Sequence, residues 1–209
     1  MPVCLQFDSV SLDVGGTAVL DRVDCRIPEG GITVITGPSG SGKSTLLRMC
    51  NRLDVPTSGR VLFRGVDVAT VDPVAHRRRV GMVFQRPTPF AGTGADNLAV
   101  AGVTERAEAV ALFDRVGLDA ALLDEPTDHL SGGEAQRLCL ARTLATGGEV
   151  LLADECTSSL DAASTTVLET LARRLADAGT TVVWVTHDLD QVERLADHRI
   201  VVERGRVVA

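Results

Sequence analysis

The chain has 209 residues, 44% of them hydrophobic, which is enough for one substantial core and too few for two full domains. Its formal net charge of -7 and pI near 5.1 exclude a nucleic-acid grip built on a basic face, because such a grip needs cations to displace the counterions around phosphates. The five cysteines, Cys4, Cys25, Cys50, Cys139 and Cys156, stand singly, without the close spacing of a zinc site or a redox dithiol, and read as reduced thiols.

No basic stretch followed by an apolar run opens the chain, so a cytoplasmic location is expected. No segment reaches the ~20 apolar residues that cross a bilayer, so any membrane work needs a partner. Residues Leu5 to Val14 and Val19 to Ile27 alternate loosely between apolar and polar and read as β-structure, with a turn at Gly30-Gly31. Ile32 to Thr36 is a short strand. Leu46, Leu47, Met49 and Leu53 carry helical spacing from Lys43 to Leu53, and Pro56 with Gly59 closes that helix.

Between this strand and helix runs Gly37-Pro38-Ser39-Gly40-Ser41-Gly42-Lys43-Ser44, the glycine-rich loop pattern in the setting that its mechanism requires. Its glycines let the backbone curl so that successive N–H groups face phosphate oxygens, and the helix N-terminus adds partial positive charge. Lys43 is expected to neutralise the β- and γ-phosphates and Ser44 to offer a hydroxyl to Mg²⁺.

Arg60 to Val68 resembles a further hairpin arm, Arg77-Arg78-Arg79 a solvated face, and Val80 to Phe84 a strand, before Pro87 and Pro89 break regularity. From Asn97 to Leu130 the pattern is helical, with Ala107, Val110, Ala111 and Val116 as the expected array. This reads as an inserted helical subdomain over about residues 90–145 of a single domain spanning 1–209. A helix from Gly133 to Ala145, a strand from Val150 to Ala153, a helix from Ala162 to Ala178, a strand from Thr181 to Thr186 and a final helix and strand follow. Strands alternating with helices predict an α/β fold: a mostly parallel sheet with helices on both faces, here with an N-terminal antiparallel β subdomain.

Two apolar runs end in acidic pairs. Val150 to Ala153 leads into Asp154-Glu155, whereas Leu122-Leu123 leads into Asp124-Glu125. The first follows a compact apolar strand and precedes a long helix, so Asp154 is expected to hold Mg²⁺ at the strand's C-terminal end and Glu155 to polarise the attacking water. Asp124 and Glu125 read as surface loop. Further on, Ser131-Gly132-Gly133 opens a helix and forms a second phosphate cradle. If the two cradles lie on opposite sides of the domain, the second serves a nucleotide bound by another copy.

The run Leu130 to Arg137 resembles the signature of the ATP-binding cassette family, and the rest of the chain follows that family's order. Gln85 matches its glutamine loop, Ser159-Leu160-Asp161 its D-loop and His187 its switch histidine. The resemblance implies a P-loop NTPase fold, ATP and Mg²⁺ as cofactors, and catalytic roles for Glu155, His187 and Gln85. It places ATP between Gly37 to Thr45 of one copy and Ser131, Gly132, Gly133 and Asp161 of a second, with Gln85 joining Ser44 and Asp154 at the metal. It further implies a homodimer docked on integral membrane permease subunits at the inner face of the cell membrane.

Two positions depart from the family pattern. Val14 stands where the family commonly stacks an aromatic on adenine, and Cys156 where it commonly has proline. The stretch Arg79 to Phe90 resembles phosphate-importer ATPases. The compact length, Cys156 and Trp184 to Asp188 resemble small ATPases of the iron-export type. The alternative, a soluble non-transport ATPase of the same family, would normally bring a long coiled-coil insertion or a second cassette, and the chain has neither.

Overall fold

A computed structural model describes residues 1–209. Strands β1 (Val3–Val14) and β2 (Thr17–Pro28) form a long antiparallel hairpin that turns at Gly15-Gly16, where both φ angles are positive. Strand β3 (Ile32–Thr36) follows, then helix α1 (Lys43–Cys50). The chain returns through β4 (Ser58–Phe63) and β5 (Val66–Asp67) to complete a four-stranded antiparallel sheet in the order β2-β1-β4-β5.

Helix α2 (Pro73–Arg79) leads into β6 (Val80–Val83), and the inserted segment holds α3 (Gly94–Ala99), α4 (Arg106–Val116) and two short 3₁₀ turns. Helix α5 (Gly132–Ala145), β7 (Val150–Asp154), α6 (Ala162–Asp177), β8 (Thr181–Val185), α7 (Leu189–Leu195), β9 (His198–Glu203) and β10 (Arg206–Val207) complete the chain. They form a six-stranded sheet in the order β10-β9-β3-β8-β7-β6, parallel except at β10.

Every residue of β3, β6, β7 and β8 is buried, as expected of parallel strands covered on both faces. One face packs Ile35, Val183, Val185 and Leu152 against α1 and the antiparallel sheet. The other packs Val34, Leu151, Ala153 and Trp184 against the helices that follow α3. The strand order brings the C-terminal ends of β3, β8, β7 and β6 side by side, and these ends lead into Gly37, Thr186-His187, Glu155 and Phe84-Gln85.

Three local expectations change. Helix α1 stops at Cys50, not Leu53: Arg52 adopts φ +57, and the Leu53 and Asp54 N–H groups both turn back to the Arg48 carbonyl. Helix α2 was not expected, because it buries only His76 and so carries no apolar stripe. Its start is nonetheless specified locally, since Pro73 sits in the first turn and the Asp72 carboxylate accepts the Ala75 N–H at 2.7 Å. In α4 the buried stripe is Ala109, Leu112, Phe113 and Val116. Of the expected array only Val116 is buried, and Ala107 and Ala111 face solvent. The large Leu112 and Phe113 side chains outweigh the small alanines in choosing the inward face.

Candidate functional site

The loop after β3 can be built only from glycine at two points. A Cβ on Gly37, at φ +142, would lie 2.0 Å from the Val202 carbonyl oxygen, and one on Gly42, at φ +104, would lie 2.7 Å from Leu20 Cδ2. The resulting turn delivers the N-terminus of α1 with no side-chain cap and no acidic residue in its first turn, leaving its N–H groups and partial positive charge for an anion. Lys43 is 6% exposed, and its Nζ donates to the carbonyls of Gly37 and Pro38 at 2.9 Å each.

Ser44 Oγ donates to Asp154 Oδ1 at 2.8 Å, joining α1 to the end of β7. Burial pushes the Asp154 carboxyl above its ordinary range, the Ser44 hydrogen bond opposes that shift, and the neighbouring Glu155 charge adds to it. No group of three or more His, Cys, Asp or Glu residues gathers into a protein-only metal cage. A hydroxyl and a buried carboxylate at one point are nevertheless a fitting donor set for Mg²⁺, which prefers oxygen ligands and keeps several of its waters.

Glu155 is the point where the motifs meet. Its backbone is left-handed, φ +43, and its N–H donates to the Val185 carbonyl of β8 at 3.1 Å. Its carboxylate lies 4.0 Å from Lys43 Nζ, 3.4 Å from Gln85 Nε2 and 3.3 Å from His187 Nδ1. The competing acidic pair is elsewhere and exposed: Asp124 pairs with Arg106 at 2.7 Å and Glu125 with His129 at 2.8 Å.

The second cradle forms a separate group. Ser131 caps α5 reciprocally with Glu134, whose carboxyl is held low by the Ser131 hydroxyl and N–H. A Cβ on Gly132 would meet nothing within 4 Å, and one on Gly133 would touch Leu160 and Ser164 at 3.6 and 3.7 Å. Asp161 caps α6 by accepting the Ser164 N–H at 2.7 Å. Ser131 to Gly133 and Asp161 therefore share one surface, and no hydrogen bond or ion pair ties them to Gly37 to Thr45.

A family model described as ABC transporter matches residues 20–158. The chain belongs to the ABC transporter family. Among its relatives, the phosphate import ATP-binding protein PstB of Synechococcus sp. (strain CC9902) is 42% identical over 93% of this chain and 77% of that protein. The methionine import ATP-binding protein MetN of Cereibacter sphaeroides is 45% identical over 93% of this chain, which spans only 59% of MetN. The dimeric post-hydrolysis structure of the ATP-binding cassette MJ0796, bound to ADP and Pi, superposes with a TM-score of 0.86. It is 27% identical and covers 98% of this chain and 97% of its own. The fold is that of the family's P-loop ATPase cassette.

In this cassette Gln136, to which the sequence assigned no role, is 2% exposed and donates from Nε2 to the Phe84 carbonyl at 2.9 Å, beside Gln85. Its position four residues before the buried Leu140 was the available signal. Cys156 is 4% exposed and packed with Val83, Leu168 and Trp184; burial pushes its thiol up to about 12. Val14 is 60% exposed at the tip of the first hairpin.

Proposed function

We propose that this chain is the ATP-hydrolysing subunit of a membrane transporter and that it works as a homodimer, each ATP held between Gly37 to Thr45 of one copy and Ser131, Gly132, Gly133 and Asp161 of the other. The observation that carries this reading is the separation of the two cradles within one chain. Lys43 exchanges its two loop carbonyls for phosphate oxygens, a stronger, charge-assisted pairing. Ser44, Asp154 and Gln85 hold Mg²⁺, which neutralises charge on the β- and γ-phosphates when bound. Glu155 accepts hydrogen-bond density from the attacking water, and His187 and Gln85 steady its carboxylate and contact the γ-phosphate.

No helix is long and apolar enough to cross a membrane, so the transporter reading requires separate permease subunits that hold the cassette at the inner face of the cell membrane. Phe84, Phe90 and Val100, exposed near Gln85, supply apolar surface for that contact. The cargo belongs to the membrane subunit: relatives named for phosphate import and for methionine import are similarly close to this chain. Phosphate and a metal ion remain the two cargoes that the local resemblances point to. No observation favours the soluble non-transport alternative.

Glu155→Gln tests the assignment. The variant should bind ATP, lose turnover by about 10²–10³-fold and elute from gel filtration as an ATP-dependent dimer. Normal turnover would remove Glu155 from the mechanism.

A further inference from the structure

The polar cleft beside Glu155 is also walled by Thr157, His187 and Gln191. Gln191 lies in the first turn of α7, just beyond His187, and is 1% exposed. All of its hydrogen-bonding capacity is used. Oε1 accepts the Trp184 indole N–H at 3.0 Å and faces the Thr157 hydroxyl at 3.4 Å. Nε2 donates to the Glu169 carboxylate at 2.9 Å and to Thr157 Oγ1 at 3.2 Å. Glu169 is in turn paired with Arg194 at 2.8 and 2.9 Å. One amide thus joins β8, α6, α7 and the turn after β7.

Glu155 needs such a clamp. A left-handed backbone at a non-glycine residue costs on the order of 1–3 kcal/mol and persists only where its surroundings hold it. Ahead of the side chain, the Glu155 N–H is anchored on β8. Behind it, Cys156 is packed in the core and Thr157 has Gln191 as the only hydrogen-bond partner of its side chain.

We propose that Gln191 is a positioning residue for hydrolysis: its amide locks the turn that follows Glu155 to the helix that follows His187, holding the carboxylate and the imidazole at their 3.3 Å separation. This rests on the reading of Glu155 as the group that activates water. Gln191 touches neither nucleotide nor water and acts through Thr157, so its loss should slow the chemical step while leaving nucleotide binding intact.

Gln191→Met keeps length and removes the amide. Thr157→Val keeps shape, removes the hydroxyl and leaves the Trp184 and Glu169 contacts in place. The steady-state ATPase of the full chain, with thermal melting as a folding check, should show kcat lowered about 10- to 100-fold in each variant, with KM for Mg·ATP changed by less than about twofold. The double variant should fall no further than the weaker single, because both remove one contact.

Full kcat in the folded variants, a KM that rises in step with the loss of kcat, or multiplying effects in the double variant would each overturn the proposal. If Gln191→Met does not fold, Thr157→Val decides alone. Glu155→Gln run in parallel separates the two readings. Normal turnover there sinks the assignment of Glu155, whereas an inert Glu155→Gln beside fully active Thr157→Val and Gln191→Met sinks only the role of Gln191.

Discussion

Glu155 sits at φ +43 with Lys43, Gln85 and His187 around its carboxylate, so three groups far apart in sequence converge on one strained residue. Their identities were legible from local motifs. The convergence was not, because it depends on the neighbouring of β6, β7, β8 and β3, which no local spacing encodes. Two other residues sharpen at this scale. Cys156 is protonated and enclosed, with its thiol pushed up to about 12, so it should resist a thiol reagent in the native protein, react on unfolding, and leave the ATPase rate unchanged under mild oxidant. Labelling at the native-state rate of a free thiol would contradict that. Val14, exposed at the hairpin tip, offers no ring to adenine. Val14→Tyr should tighten ATP binding by about 1–3 kcal/mol, the range for base–aromatic stacking, and raise the preference for ATP over GTP, measured by competition binding.

Among the elements, those whose apolar pattern is continuous or strongly periodic were readable. The strands β3, β7 and β8 and the helices α5 and α6 fall within a residue or two of expectation, because a buried parallel strand needs an unbroken apolar run and a helix covering it needs an apolar stripe. Helix α4 was readable as a helix but not in its facing. Alanine and valine at 107, 110 and 111 mimic a stripe, while Leu112 and Phe113 actually fill the space against α5 and α6. Phe113→Ala should therefore cost about 3–5 kcal/mol, whereas Ala111→Gln, on the solvent side, should change stability by less than about 0.5 kcal/mol. Urea unfolding midpoints check both, and equal costs would mean that the inward face is wrong. Helix α2 escaped notice for a different reason: it is fixed by the Asp72-Pro73 start and by arginine contacts to neighbouring carbonyls, not by burial.

For the whole molecule, the family and the fold were legible because six motifs occur in order along one chain. Which side of the domain each motif faces was not. The geometry now separates them into two groups, Gly37 to Thr45 with Asp154, Glu155, Gln85 and His187, and Ser131 to Gly133 with Asp161. Head-to-tail pairing of two copies is the arrangement that joins unlike surfaces twice in a closed dimer. Mixing two crippled chains tests it most directly. Lys43→Ala removes the phosphate grip and Gly133→Asp places a charge in the second cradle, so each should be inactive alone. A mixed dimer contains one site assembled from the intact Gly37 to Thr45 of the Gly133→Asp chain and the intact Ser131 to Gly133 of the Lys43→Ala chain. Random exchange makes half of the dimers mixed, so the mixture should recover at most about a quarter of the wild-type ATPase rate. A mixture as inactive as its components, or a Gly133→Asp chain fully active by itself, would contradict a site shared between two copies.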